Sequence, residues 1–277
     1  MRDIYEWLFG PRGRDGVRHP IPPLPEILRP HSASIAATML PVLGACIFNT
    51  PPSAPTSSQL GGIPWWPNGM DWPMDQGGSP LSFLIQVNLE ELPPWPQLPA
   101  KGMLQFFIGT NDLMGANPDD CSKPTGFACI YHPDISIGMA SDIAAFMPSD
   151  SIFTPLDDPE KSLELVFEPG QMLMDPTDYR FVTTLADVAE DDELLEAYAE
   201  WITNEAAAPA LRIGGYPSFT QYDPRAEDDT LGDVSLLTID STPGILWGDS
   251  GTAQFLMRQD DLEQVEFSRV IYTWDCY

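Results

Sequence analysis

Positive charge is what this chain has least of. Its 277 residues carry 13 Lys and Arg against 41 Asp and Glu, a formal net charge of −28. Only Lys101, Lys123 and Lys161 are lysines. A phosphate backbone demands the opposite sign, so non-specific nucleic-acid binding is excluded as the main activity. Histidine is nearly as scarce. His19, His31 and His132 are the whole set, and none stands beside a nucleophile motif. The four cysteines, Cys46, Cys121, Cys129 and Cys276, are scattered, which argues against a disulfide framework. They read as free, mostly buried thiols. A phosphate-binding Walker loop and a GxGxxG turn after a strand are both missing, so nucleotide binding has no support.

What is present bounds the fold. Hydrophobic residues at 43% and aromatics at 10% exclude a disordered chain. Thirty prolines and 21 glycines argue against long helices. The length allows one large or two small domains. The first residues, MRDIYEWLFGPRGRDG, mix charges of both signs and lack the apolar stretch of a signal peptide. Residues 33–48 are nearly uncharged, and Leu43-Gly44-Ala45-Cys46 resembles a lipoprotein cleavage box. The run starts more than 30 residues in, is too short to span a bilayer, and is interrupted by Pro41. It reads as a buried helix capped by Ser32 or Ser34. The expectation is a soluble, cytoplasmic protein with no membrane association.

The acidity is uneven. Residues 1–149 hold 13 acids and 7 bases, whereas 150–277 hold 28 acids and 6 bases. Residues 157–205 alone hold 15 acids and 2 bases. Such a patch attracts a basic partner. The plainer alternative is a solvated surface, or adaptation to high salt. Within it, 186–206 reads as a helix. Leu194, Leu195, Tyr198, Trp201 and Ile202 form an apolar stripe, and Asp191, Asp192, Glu193, Glu196 and Glu200 form an acidic face.

Strand signals flank this segment. Leu81–Leu89 and Gly102–Ile108 are apolar throughout, as strands buried on both faces are. Ser162–Phe167 alternates with period two, and Asn88 with Glu91 predicts a short capped helix. Trp65, Trp66, Trp72 and Trp95 lie among prolines in 61–99, a composition of loops that cover a core.

The two ends of the chain repeat each other. Gly61-Gly62-Ile63-Pro64 returns as Gly214-Gly215-Tyr216-Pro217. Phe83–Asn88 aligns with Ser235–Asp240, and Gly102–Phe107 with Gly251–Leu256. Asn88–Leu92 has a looser echo in Asp260–Glu263. Three matches in order, at nearly constant offset, predict two copies of one unit. Two such copies usually leave a cleft between them.

The same residues resemble a known family. GGIP followed by WP, then FLIQVNL and the Gly-led LQFF strand, resemble the first half of the YwqG-like proteins, a bacterial domain-of-unknown-function family (1963). GGYPSFTQYD (214–223), SLLTIDS (235–241), WGDSG (247–251) and Asp261, Leu262, Phe267 and Cys276 resemble its second half. Thr238 stands where the family usually carries glutamine, and Ala210–Ile213 replaces a His-led, leucine-rich segment. The resemblance covers about 56–277. It implies an α+β fold dominated by antiparallel strands and carries over no activity. Relatives near toxin–immunity genes point to an interaction role.

Catalytic constellations are weak. Gly248-Asp249-Ser250-Gly251 has Thr252 where a nucleophile elbow needs its second glycine. Cys121, Cys129 and His132, with Asp119, could ligate zinc, but the spacing fits no common zinc motif. Asp157/Asp158 and Asp228/Asp229 are too close in sequence to face one another across a sugar. The better candidates lie at the repeated motifs. Trp247 beside Asp249 puts a ring next to a carboxylate, or leaves Asp249 to bind its own turn. Gln221 and Asp223 follow the second glycine pair. Gln86, an amide on a buried strand, either knits the repeats or points into the cleft. Trp65 and Trp72 line a pocket or cover the core.

The resulting expectation is an α+β fold, mainly antiparallel strands in two pseudo-repeats with an acidic helical insertion. Residues 1–55 form an extended arm and helix, and 56–277 the domain. The repeats span about 56–149 and 205–277, the insertion about 150–205. No catalytic residue, metal or cofactor is assigned, and an enzyme is the less favoured class. The expected function is an interaction protein, an acidic inhibitor or immunity-type partner of a basic protein. The alternative is a small-molecule binding module using the cleft.

Overall fold

The computed structural model describes residues 22–117, 120–121, 123, 126–136, 138–140 and 153–277. The first part of the N-terminal arm, with His19, and the candidate ligand Asp119 lie outside the described residues.

Two strands far apart in sequence form the centre of the sheet. β1 (Leu40–Phe48) pairs antiparallel with β6 (Leu163–Met172) along its whole length. On the β6 side follow β2 (Gln59–Leu60), β3 (Ser82–Asn88), β4 (Met103–Ile108) and β5 (Phe127–His132). On the β1 side follow β7 (Leu211–Gly214), β8 (Val234–Asp240), β9 (Thr252–Met257) and β10 (Ile271–Asp275). The order β10-β9-β8-β7-β1-β6-β2-β3-β4-β5 reads the same from the centre outward in both directions. Every pairing is antiparallel.

The duplication is therefore structural. The β3–β4 register slips between Phe83 and Ile85, and the β8–β9 register slips between Ser235 and Leu237. Each slip is a bulge at the same place in its half. Each half also turns on a glycine pair. Gly61 and Gly62 have φ of 64° and 71°, Gly214 and Gly215 of 77° and 71°. Only glycine adopts this region without steric cost.

Side chains alternate across each strand. On the inner face, Phe106 meets Phe255 with ring centroids 4.8 Å apart, and Phe127 meets Tyr272 at 5.3 Å. The sheet thus curls into a nearly closed barrel whose main core lies between the halves. On the outer face, Trp66, Trp72, Phe83 and Phe107 cluster in the first half, and Phe219, Leu256 and Ile271 in the second. That double coverage is why β4 and β9 are buried at every residue and read as unbroken apolar runs.

Helices cover the centre of the sheet. α1 (Ser32–Ala37), α2 (Phe181–Thr184), α3 (Ala186–Ala189) and α4 (Asp192–Asn204) pack Ile35, Phe181, Val188, Tyr198 and Trp201 against Val42 and Met172. α5 (Gln259–Glu263) follows β9.

Several expectations change. The apolar run 33–48 is helical only to Ala37 and then becomes β1, because its β-branched and aliphatic residues fill the gap beside β6. Neither serine caps it: Ser32 is the first helical residue, and Ser34 Oγ donates to the His31 carbonyl. The expected helix at 186–206 breaks before Asp192. Asp191 caps α4, accepting from the amides of Glu193 and Leu194 at 3.0 and 3.2 Å. Among its described residues, the segment 150–205 is helical only from Phe181 onward, and β6 ahead of it is a central strand. No helix starts at Asn88. Its Oδ1 accepts from the Glu90 amide in a turn, and Pro93 and Pro94 follow at once. The echo between Asn88–Leu92 and Asp260–Glu263 does not hold, since the first follows β3 and the second β9. No disulfide joins the cysteines, yet only Cys129 is buried, and Cys46 is exposed.

Candidate functional site

Gln86 and Gln105 are fully buried on the outer face of β3 and β4. Gln86 Nε2 donates to the carbonyls of Pro55 and Ser57, and its Oε1 accepts from the Trp65 amide. Gln86 therefore knits loops to strand within the first half; it neither joins the halves nor lines a cleft. Gln105 Nε2 donates to the Trp65 carbonyl and to Gln86 Oε1. Its oxygen is thus left as an acceptor, which assigns the proton to His132 Nε2 at 3.0 Å. Trp65 and Trp66 meet the imidazole edge to face at 5.3 and 5.5 Å. Burial lowers the His132 pKa to about 4.

The second half repeats the arrangement with other residues. Gln254 Nε2 donates to the Ser218 carbonyl, as Gln105 does to that of Trp65. Its oxygen accepts from Thr238, which occupies the place of Gln86. The counterpart of His132 by strand register is Asp275: His132 pairs with Met103, and Asp275 with Thr252. Gln254 does not hold it. Instead Asp275 Oδ2 accepts from the amides of Thr220 and Gln221 at 2.9 and 2.7 Å. Burial raises the Asp275 pKa, partly offset by those amides.

A buried ion cluster ties the helical layer to the second half. Arg225 Nη2 lies 2.6 Å from Asp223 Oδ2 and 2.9 Å from Asp178 Oδ2, and Arg180 pairs with Asp178 at 2.7 Å. Asp223 also caps the turn at Pro224 and accepts from the Tyr179 amide. Burial would raise the Asp178 pKa, but hydrogen bonds from Arg180 and the charge of Arg225 outweigh it and hold it low.

The cleft expected between the halves is packed shut by the aromatic core along most of its length, because both inner faces are apolar. What stays open is a pocket of about 250 Å³ at its edge. Leu113 and Cys121 come from the first half; Phe219, Gln221, Trp274 and Asp275 come from the second. Trp274 Nε1 donates to the Leu113 carbonyl at 2.7 Å and fixes one wall.

The candidate residues are thus dispersed. Gln221 lines this seam pocket, its amide donating to the Cys276 carbonyl. Trp247 is fully buried against Tyr272 and Trp274, and its indole nitrogen has no partner among the described residues. Asp249 is exposed on the turn that follows, and its carboxylate accepts no hydrogen bond among the described residues. Asp223 serves the ion cluster. Trp65 and Trp72 are core, Trp72 Nε1 donating to the Leu81 carbonyl. Cys129 and His132 sit three apart on β5 and so face opposite ways. Asp191, Asp192, Glu193, Glu196 and Glu200 are all exposed, on or capping α4. Sequence reasoning missed Asp275, Gln105 and Gln254. The glycine-led alignment that matched β4 to β9 already paired the two glutamines.

A family model described as a domain of unknown function, DUF1963, matches residues 58–276. A comparison with curated proteins finds no match. Among the described residues, no helix is long and apolar enough to cross a membrane.

Proposed function

Because the chain belongs to the DUF1963 family, whose description assigns no activity, we propose its role from the surface it presents: an interaction protein that binds a basic partner. The carrying observation is charge left uncompensated at the surface. Asp192, Glu193, Glu196 and Glu200 project from α4, while Arg180 and Arg225 are spent on the buried carboxylates of Asp178 and Asp223. An excess of exposed carboxylates raises the encounter rate with a positively charged protein and repels nucleic acid. The inner face and much of the outer face of the sheet are taken up by core clusters. In this reading the protein is a cytoplasmic, YwqG-like bacterial protein of the inhibitor or immunity type, and its target is a basic protein.

The test is a tagged capture from the native host at moderate and high salt, run beside an α4 charge-reversal variant (Asp192→Lys, Glu193→Lys, Glu196→Lys, Glu200→Lys). The expected result is a basic protein held at moderate salt, released at high salt, and lost by the variant. A partner held equally by both forms sinks the proposal.

A further inference from the structure

The two ends of the sheet do not pair with each other. The strand order stops at β5 on one side and at β10 on the other, and β10 pairs with β9 alone. An antiparallel strand bonds one neighbour through alternate residues and turns its remaining N–H and C=O groups the other way. β10 therefore presents an edge to which no strand is paired. The end strands are covered differently. Phe267, from the second half, packs on Tyr131 of β5 with ring centroids 5.2 Å apart. Beside β10 the first half supplies a loop, joined to it by side chains and not by a ladder. Tyr272 Oη donates to the Met114 carbonyl at 3.2 Å, and Trp274 Nε1 to the Leu113 carbonyl at 2.7 Å.

The seam pocket lies along this free edge. Side chains alternate between the faces of a strand, so a pocket on one face touches every second residue. This pocket touches Thr273, Trp274, Asp275 and Cys276 in succession, as a pocket at the edge does. Its walls are apolar, and they are open: Leu113 is 40% exposed and Tyr222 58%. The strand itself, IYTWD, has neither the lysine nor the proline that commonly blunts an edge. The rim is acidic. Asp112 is exposed beside Leu113, and Glu227 and Asp228 are exposed in the second half. Burial raises the Cys121 pKa, and the charges of Asp120 and Asp228 add to it, which places both carboxylates near that wall. At the far end Asp249 stands on a turn seated against β10, since a Cβ on Gly248 would lie 2.7 Å from Cys276 Sγ. No lysine or arginine lines the pocket among the described residues. Lys123, the nearest along the chain to Cys121, is paired with Asp120.

We infer that the seam is a docking site for one extended strand of a basic partner protein, which adds to the free edge of β10 and seats an apolar side chain in the pocket. This rests on the basic-partner reading above and supplies the contact it lacks. The three parts of the site divide the work. Backbone groups of β10 bind any extended chain, and the pocket selects an apolar residue. The carboxylates around it select lysine or arginine on either side of that residue and disfavour an acidic strand. A volume of about 250 Å³ suits a single side chain.

The probe is the peptide acetyl-KVTFTVK-amide, titrated by calorimetry into the full chain at moderate salt. It binds, and acetyl-EVTFTVE-amide binds at least about tenfold more weakly. N-methylation of every second peptide residue blocks one edge of an extended strand. Of the two complementary methylated forms, one loses about tenfold or more in affinity, and the other keeps binding. Leu113→Trp fills the pocket from the first half without touching β10, and it weakens the probe about tenfold. The α4 charge-reversal variant still binds the probe. Failed capture of a host protein, with the peptide results as expected, counts against the basic-partner reading and leaves the strand-binding edge in place. The docking edge is overturned if the peptide does not bind, if the acidic peptide binds equally, if the two methylated forms behave alike, if Leu113→Trp keeps full affinity, or if the α4 variant loses the probe.

Discussion

Arg212 does for the second half what Gln59 does for the first. Gln59 Nε2 donates to the Ile63 carbonyl at 2.9 Å, and Arg212 Nη2 to the Tyr216 carbonyl at 3.2 Å. Each acceptor lies four residues on, just past the glycine pair. Arg212 also reaches the Pro209 carbonyl and Ser218 Oγ, and its burial lowers its pKa. Arg212→Met strands these acceptors and costs about 2–4 kcal/mol. Arg212→Gln restores the first-half chemistry and costs less than half as much. Urea unfolding of both variants checks this; equal losses would show that the two positions are not interchangeable.

His132 sets a pH dependence. Its folded pKa of about 4 lies below the ordinary value of 6.5. Above pH 6.5 both folded and unfolded chains carry it neutral. As pH falls from 6.5 to about 4, the unfolded chain takes a proton that the folded chain refuses, so stability drops. The loss is at most ~3 kcal/mol. His132→Gln flattens that part of the stability profile, measured by urea unfolding at several pH values. An unchanged slope would refute it.

Asp178 acts in the same direction as His132 but in a more acid range. Its depressed pKa gives stability that is present above about pH 4 and lost as pH falls through the folded value. Asp178→Asn removes one carboxylate from the buried cluster with Arg225 and costs about 3–5 kcal/mol near neutral pH. The same variant loses less stability on acidification than the parent. Thermal unfolding at neutral and acid pH reads both effects.

The glycine turn has an internal control. Gly62, at φ 71°, would place a Cβ 1.8 Å from Ser162 Oγ. Gly69, at φ 77°, has nothing within 4 Å of that position. Gly69→Ala therefore costs the conformational term alone, about 1–2 kcal/mol. Gly62→Ala adds a steric clash and costs clearly more, by denaturant midpoint. Equal costs would mean that Ser162 moves aside freely.

Much of the fold was legible because its strongest signals are local. β3 and β4 are buried on both faces, so their residues are apolar without alternation, and the glycine pairs demand positive φ. β1 was not legible, since a short apolar run after Ser32–Ala37 serves helix or strand equally until β6 is placed beside it. The break before α4 hid behind a continuous acidic periodicity that Asp191 ends as a cap. The site was harder still. His132 and Gln105 are 27 residues apart, and Asp275 and Thr220 are 55 apart. No spacing rule links them; only the curl of the sheet does.

The central pairing of β1 with β6 also governs how the chain is made. β1 ends at Phe48, and β6 begins at Leu163. A nascent chain growing at ~5–20 residues per second leaves β1 without that neighbour for roughly 6–23 s. Its other neighbour, β7, emerges later still. For that interval Leu40–Phe48 is an apolar strand with both edges open, the kind of segment that pairs with other chains. The strand that closes the molecule is thus its most vulnerable piece at birth, and yields in the cell should respond to translation speed and chaperone supply more than to equilibrium stability.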